Sequence, residues 1–317
     1  MASPVQVQKI ATLTGHRDCI YTLERSDKAT TFYSAAGDGM VVAWDLNDPE
    51  NGELVAQVTN SVYALKYLPV PNLLLVGHNQ NSIEVIDLST KQVKKTIPLP
   101  GSAFFDIAYS SKTNQVYVGT GDGTLYILNG QDFTVKASLR YSGKSLRCLA
   151  INEERMELAA GYSDCFMRIL DLETGAVKEE IEAHANSVFT VVYSPDKKYL
   201  LSGSRDAHLK VWDVTNNYQE YTSIIAHLFA INHLAFSPDA QYFATCSMDK
   251  SVKIWDAKTF KLLKVIDKAR HAGHGTSVNK LFWTDRVNSL VSCSDDRTIS
   301  VWDLNFSLRY ENNTIRN

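Results

Sequence analysis

Disulfide chemistry has little to work with in this chain of 317 residues. Its five cysteines, Cys19, Cys148, Cys165, Cys246 and Cys293, lie scattered singly with no CxxC pair. An odd, dispersed set reads as reduced thiols acting as small buried hydrophobes, in a cytoplasmic protein or a nuclear one. No apolar run approaches the roughly 18 residues that would cross a membrane. The opening MASPVQVQKIATLTGH has no basic segment leading into an apolar one, so no signal peptide is expected. Neither sign of charge dominates: 32 basic residues meet 35 acidic ones, a formal net charge of −3. That balance argues against a nucleic-acid coat or a polyanion. A sustained helical period is missing throughout.

What the chain does have is repetition. Trp44-Asp45 recurs as Trp212-Asp213, Trp255-Asp256 and Trp302-Asp303, and equal steps between them find Ile86-Asp87, Leu128-Asn129 and Leu170-Asp171. Six residues before each of these seven positions stand Asp38, Gln80, Asp122, Asp164, Asp206, Asp249 and Asp296. A third mark precedes only the four tryptophans: His16, His184, His227 and His274. Within one unit, NSVFTVVYSPDKKYLLSGSRDAHLKVWDVTNN reads as three short strands separated by Ser-Pro-Asp and Arg-Asp-Ala turns and closed by a polar turn. One such antiparallel unit cannot bury both its faces, whereas seven packed radially can, with little strand edge exposed.

These marks resemble the WD-repeat family, over about residues 5–304. The resemblance implies an all-β fold: one closed seven-bladed β-propeller of four-stranded antiparallel blades, followed by a polar tail over 305–317. That tail makes a poor fourth strand. The alternating run Gln8 to Leu13 is expected to complete the last blade instead. The family's polar residues form a brace rather than a catalytic triad, which implies four networks: His16/Ser34/Asp38/Trp44, His184/Ser202/Asp206/Trp212, His227/Thr245/Asp249/Trp255 and His274/Ser292/Asp296/Trp302. Indole donates, carboxylate accepts, and imidazole and hydroxyl relay. Blades two, three and four have Val76, Val118 and Ala160 in place of the hydroxyl and no matching histidine. They are expected to rely on apolar packing, and VGHNQNSIEVIDLSTKQVKKTIPLP in blade two resembles a YVTN-type propeller blade.

Enzyme-like motifs are weak here. Gly119-Thr120-Gly121-Asp122-Gly123 looks like a dinucleotide loop but leads into a strand, where phosphate binding needs a helix N-terminus. Gly143-Lys144-Ser145 resembles a P-loop ending, with Ser138 where the first glycine is required. His271 and His274 could be a metal pair, yet no further ligands accompany them and His274 belongs to a brace; no metal and no cofactor are expected. His78 and His208 are placed beside turns, in solvent.

Function should sit on the face where blades join, which in WD-repeat proteins receives the partner. Two positions per blade are expected to present side chains there. The first gives Tyr21, Tyr63, Phe105, Arg147, Phe189, Asn232 and Asn279; the second includes Arg205, Met248 and Asp295. Aromatic residues and arginine concentrate at interface centres, and the two arginines would suit an acidic or phosphorylated element. The basic stretch DKARHAGHG is expected to add a lip at the same rim. The reading is a non-catalytic interaction scaffold or adaptor for a protein or peptide, monomeric on its own or part of a multiprotein complex, with no nucleic acid and no membrane. The alternative is an enzymatic or small-ligand propeller using Asp106, His233 and Lys280 in the central channel.

Overall fold

The computed structural model describes residues 5–79, 81–100, 103–284 and 289–306, so Gln80 and the tail from 307 lie outside the described residues. The chain forms seven four-stranded antiparallel sheets. The first strand is β1 (Val5–Leu13). Blade one follows as β2 (Ile20–Arg25), β3 (Thr31–Ala36), β4 (Met40–Asp45) and β5 (Asp48–Gln57); blade two is β6 (Val62–Leu68), β7 (Leu73–His78), β8 (Ser82–Asp87) and β9 (Gln92–Pro98). Blade three is β10 (Phe104–Ser110), β11 (Gln115–Thr120), β12 (Thr124–Asn129) and β13 (Val135–Arg140). Blade four is β14 (Leu146–Asn152), β15 (Glu157–Tyr162), β16 (Phe166–Asp171) and β17 (Val177–Glu182). Blade five is β18 (Val188–Tyr193), β19 (Tyr199–Ser204), β20 (His208–Asp213) and β21 (Gln219–Ile225). Blade six is β22 (Ile231–Phe236), β23 (Tyr242–Ser247), β24 (Val252–Asp256) and β25 (Leu262–Ile266). Blade seven has only β26 (Val278–Trp283), β27 (Ser289–Ser294) and β28 (Ile299–Phe306) of its own.

The N-terminus supplies what blade seven lacks. Strand β1 pairs antiparallel with β28 from Val5 opposite Phe306 to Leu13 opposite Ile299, with a bulge at Ile10. The closing strand is thus longer than the alternation alone suggested. Position across a blade sets burial. Second strands such as β7, β11, β15 and β27 are buried at every residue, being flanked by two strands and two neighbouring blades. Outer strands such as β13 and β17 alternate, since only one face meets a neighbour.

The core is divided among the seams. Seven buried apolar clusters each join two successive blades: Leu75 and Val85 of blade two with Phe104 and Val118 of blade three, for example, or Leu13 and Ile20 with Val291 and Ile299 across the closure. Close approach at the seams demands small residues in the second strand. A Cβ on Gly203 would lie 2.7 Å from the Ile231 side chain of the next blade; Ala35, Cys246 and Cys293 stand at the equivalent sites and are buried. Cys246 and Cys293, like Cys148 of the inner strand β14, are buried as expected, while Cys19 and Cys165 are partly exposed.

Two features depart from the sequence reading. Lys268–His271 (α1) forms one helical turn, its first N–H groups capped by Asp267, which accepts from the Arg270 amide at 2.9 Å and also pairs with its guanidinium. It packs toward β1, where Lys9 Nζ donates to the Ala272 carbonyl at 3.0 Å, so the insertion lies by the outer strand and forms no lip at the central mouth. His78 is buried as the last residue of β7, with Glu84 of the adjoining β8 3.7 Å away, because the strand extends through it before the turn begins.

Candidate functional site

All four braces form. In blade five, Trp212 Nε1 donates to Ser202 Oγ at 2.9 Å, the hydroxyl lies 2.7 Å from His184 Nε2, and His184 Nδ1 lies 3.1 Å from Asp206. Blade six repeats this with Trp255 to Thr245 (2.9 Å), Thr245 to His227 (2.8 Å) and His227 to Asp249 (2.8 Å). His16 and His274 make the same links to Ser34 and Asp38, and to Ser292 and Asp296; Trp44 and Trp302 complete them at 2.8 Å each. Burial holds the His16, His184 and His227 imidazoles below the usual range, against the pull of their aspartates. A neutral ring with its proton on Nδ1 then donates to Asp and accepts from the hydroxyl. Burial alone would raise the Asp206 carboxyl, but hydrogen bonds from His184 and from the His208 and Ala185 amides hold it well below the usual range.

The recurring aspartate has a second duty that explains its presence in blades without histidine. In every blade the residue after this position, which is Gln80 rather than aspartate in blade two, adopts a left-handed backbone: Gly39, Asn81, Gly123, Cys165, Ala207, Lys250 and Arg297, at φ between 46° and 88°. The carboxylate accepts the amide two residues on, as with Asp122 and Thr124 (3.3 Å) or Asp164 and Phe166 (3.1 Å). The aspartates of three Trp-Asp pairs cap the opposite turn in the same way: Asp45 accepts from the Asn47 amide, Asp213 from Thr215 and Asp256 from Lys258, at 2.9, 2.9 and 3.1 Å. The glycine-rich stretch 119–123 is such a hairpin turn, between β11 and β12.

Blades three and four do not rest on apolar packing alone. Asp122 accepts from Thr120 Oγ1 at 2.5 Å. In blade four Arg168 takes the histidine's place: buried against Tyr162, it pairs with Asp164 at 3.0 Å and Glu180 at 2.7 Å. An arginine inside an apolar strand was the available signal.

The seven first-position residues come together at the channel mouth. Each occupies a bulge in its inner strand, as between Leu146 and Cys148 or Val188 and Thr190, and a bulge re-aims the extra side chain. All seven line a cavity of about 870 Å³. Five form a continuous chain. The Tyr21 and Tyr63 rings are 4.9 Å apart, and Tyr63 and Phe105 are 5.8 Å apart. The Arg147 guanidinium lies 4.0 Å from the Phe105 centroid and 4.8 Å from that of Phe189. Among the described residues no carboxylate pairs with it. The two asparagines are engaged in stitching blades: Asn232 Nδ2 donates to the Val278 carbonyl at 2.8 Å, and Asn279 Nδ2 to the Ile20 carbonyl at 2.9 Å and Asp295 at 2.7 Å. The second-position residues stand outside the cavity, on an outer circle of the same face, because their amides are tied back to the loop carbonyls. Arg205 N–H donates to Ser187 and Met248 N–H to Ala230, both at 3.0 Å. Arg205 and Met248 are exposed.

Deeper in the channel lie Asp106, His233 and Lys280. Two of them accept edge amides of the next blade: Asp106 from Leu149 at 2.8 Å, His233 from Leu281 at 3.3 Å. Burial raises the Asp106 carboxyl, opposed by Lys280 and by the Leu149 and Ile107 amides, and burial and Lys280 lower His233 strongly. Glu24, unforeseen from the sequence, does the same for the Tyr67 amide (3.2 Å) and pairs with Lys66 at 2.8 Å. Among the described residues no group of three or more candidate metal ligands is found, and no helix is long and apolar enough to cross a membrane.

A family model described as "WD domain, G-beta repeat" matches residues 7–45, 175–213, 218–256 and 265–303. Each segment ends on one of the four Trp-Asp pairs; blades two and three go unmatched, and of blade four only the outer strand β17 is covered. No curated protein matches the chain. Among solved structures, the crystal structure of the WD40 β-propeller domain of Doa1 is similar with a TM-score of 0.81 and 17% identity, covering 94% of this chain and 97% of that one. At that identity the likeness shows the fold alone.

Proposed function

We propose that this chain, which belongs to the WD40-repeat family, is a non-catalytic scaffold or adaptor that grips a protein segment at the top mouth of its channel. The carrying observation is the unbroken run Tyr21, Tyr63, Phe105, Arg147, Phe189, with a guanidinium held between two phenylalanine faces and no carboxylate pairing with it among the described residues. Such a group is partly desolvated and pre-oriented, so an acidic or phosphorylated side chain would meet it at little further cost in order. The competing reading, chemistry inside the channel, is weakened because Asp106 and His233 already accept backbone amides. Five unpaired cysteines support a reducing compartment, cytoplasmic or nuclear. Photo-crosslinking tests the reading: benzoylphenylalanine in place of Phe105 should capture a discrete partner in cells, and the same group in place of Lys91, in a turn on the opposite face, should not. Capture from position 91 alone would overturn it.

A further inference from the structure

The brace does more than hold a blade together: it dictates what the next two residues show to solvent. In each braced blade the residue after the histidine donates its amide to the brace aspartate, as Arg17 does to Asp38 (2.7 Å), Ala185 to Asp206 (3.0 Å) and Leu228 to Asp249 (3.1 Å). The pinned backbone turns these side chains outward. Three blades place Arg17-Asp18, Ala185-Asn186 and Gly275-Thr276 there, all polar or small. Blade six places Leu228 and Phe229, which are 83% and 61% exposed. The Phe229 carbonyl is held by Ser247 Oγ at 3.1 Å, and the neighbouring Met248, 50% exposed, is tied through its amide to Ala230. None of the three can fold back under the loop. Ile225, two residues before His227, adds a fourth exposed apolar side chain.

Charge around this strip is one-sided. Arg205 on the adjoining turn of blade five and Lys250 beside Met248 are both exposed, and neither forms an ion pair among the described residues. The two carboxylates of these turns keep their charge but face inward, Asp206 to His184 and Asp249 to His227, with side chains only 12% and 6% exposed, so the charge that meets solvent here is basic. Across the mouth, Asp18 and Asp295 put negative charge at blades one and seven. We propose that the top face carries a second docking strip over blades five and six, formed by Leu228, Phe229 and Met248 between Arg205 and Lys250. Its occupant is a protein segment in which large apolar side chains are flanked by acidic residues. The strip supplies the anchors; the two cations supply orientation, and Asp18 and Asp295 repel a reversed docking. This rests on the reading of the top face as the binding face, though not on the aromatic mouth itself.

The test uses the full chain as bait for a displayed library of random peptides of roughly 12 residues. Enriched peptides should carry leucine, phenylalanine or tryptophan beside Asp or Glu. Their affinity, read by fluorescence anisotropy, should fall about tenfold or more in L228S/F229S and in R205E/K250E, with unchanged melting temperature, since all four residues are exposed. Peptides lost only in Y63A/R147A would overturn the strip and leave the mouth standing; peptides indifferent to both sets, or no enrichment, would overturn both. A concentration-dependent dimer abolished by F229S would make the strip a self-contact instead. Binding to phosphatidylcholine–phosphatidylserine vesicles abolished by F229S would make it a lipid contact. Either result contradicts the proposal.

Discussion

Asp206 and Asp122 occupy the same place in their blades but hold different numbers of dependent donors. Replacing Asp206 by alanine leaves His184 Nδ1 and the Ala185 and His208 amides without their acceptor. Asp206→Ala should cost about 1–3 kcal/mol in urea denaturation. The donors around Asp122 have alternatives: the Thr120 hydroxyl can turn to the Thr124 carbonyl at 2.9 Å, and the Thr124 amide to Thr120 Oγ1 at 3.0 Å. Asp122→Ala should therefore cost distinctly less, and equal losses would contradict the assignment. The braces also predict a pH dependence. His16, His184 and His227 have folded values below the unfolded one of about 6.5, so the unfolded chain takes up the proton first. Their contribution is complete above about pH 6.5 and is lost as pH falls below it; Asp206, Asp249 and Asp296, depressed below their unfolded value of about 3.9, add a further loss below about pH 5. The urea midpoint should drop between pH 7.5 and 5.5, and drop less in H184Q/H227Q. The four braces were legible in sequence because they repeat. The Arg168 substitute and the blade-to-blade stitches of Glu24, Asp106 and Asn232 were not, because each occurs in its own blade and depends on which amide the next blade offers.

At the scale of the element, the closing strand carries the most. Strand β1 covers the edge of β28 and contributes Val5 and Leu13 to the two seams that flank blade seven. Deleting residues 1–14 exposes that edge and the apolar surface beneath it. The melting temperature should fall sharply, and sedimentation should show edge-to-edge association. A truncated chain that melts like the full one would refute the arrangement. The alternation of β1 announced an outer strand, and its pairing followed from the count of strands in blade seven. The α1 turn was not legible: four residues are too few for a period, and its cap, Asp267, looks like any loop aspartate until the Arg270 amide is seen on it.

For the whole molecule, seven seams of similar construction divide the apolar core around the ring, while charge and aromatics are not shared out in that way. The ring was readable from the seven spaced marks together with their resemblance to the WD-repeat family, and it agrees with the need of each repeat to bury its faces against the next. The mouth was readable as positions, because the WD-repeat resemblance implies which place in each inner strand faces it; the bulge that aims those side chains was seen only in the structure. What those positions do was not: the asparagines at the mouth turned out to stitch blades, and Arg147 to lie stacked between two phenylalanines, outcomes set by neighbours in adjoining blades. The central claim is that binding belongs to this mouth. It is tested most directly by affinity capture from cells with two matched double variants, Tyr63→Ala with Arg147→Ala at the mouth and Lys91→Ala with Glu173→Ala in turns of the opposite face. The mouth pair should abolish capture of the partner with a nearly unchanged melting temperature, and the opposite pair should leave capture intact. Capture lost in the opposite pair and kept in the mouth pair would contradict the account, as would a mouth pair that fails to fold.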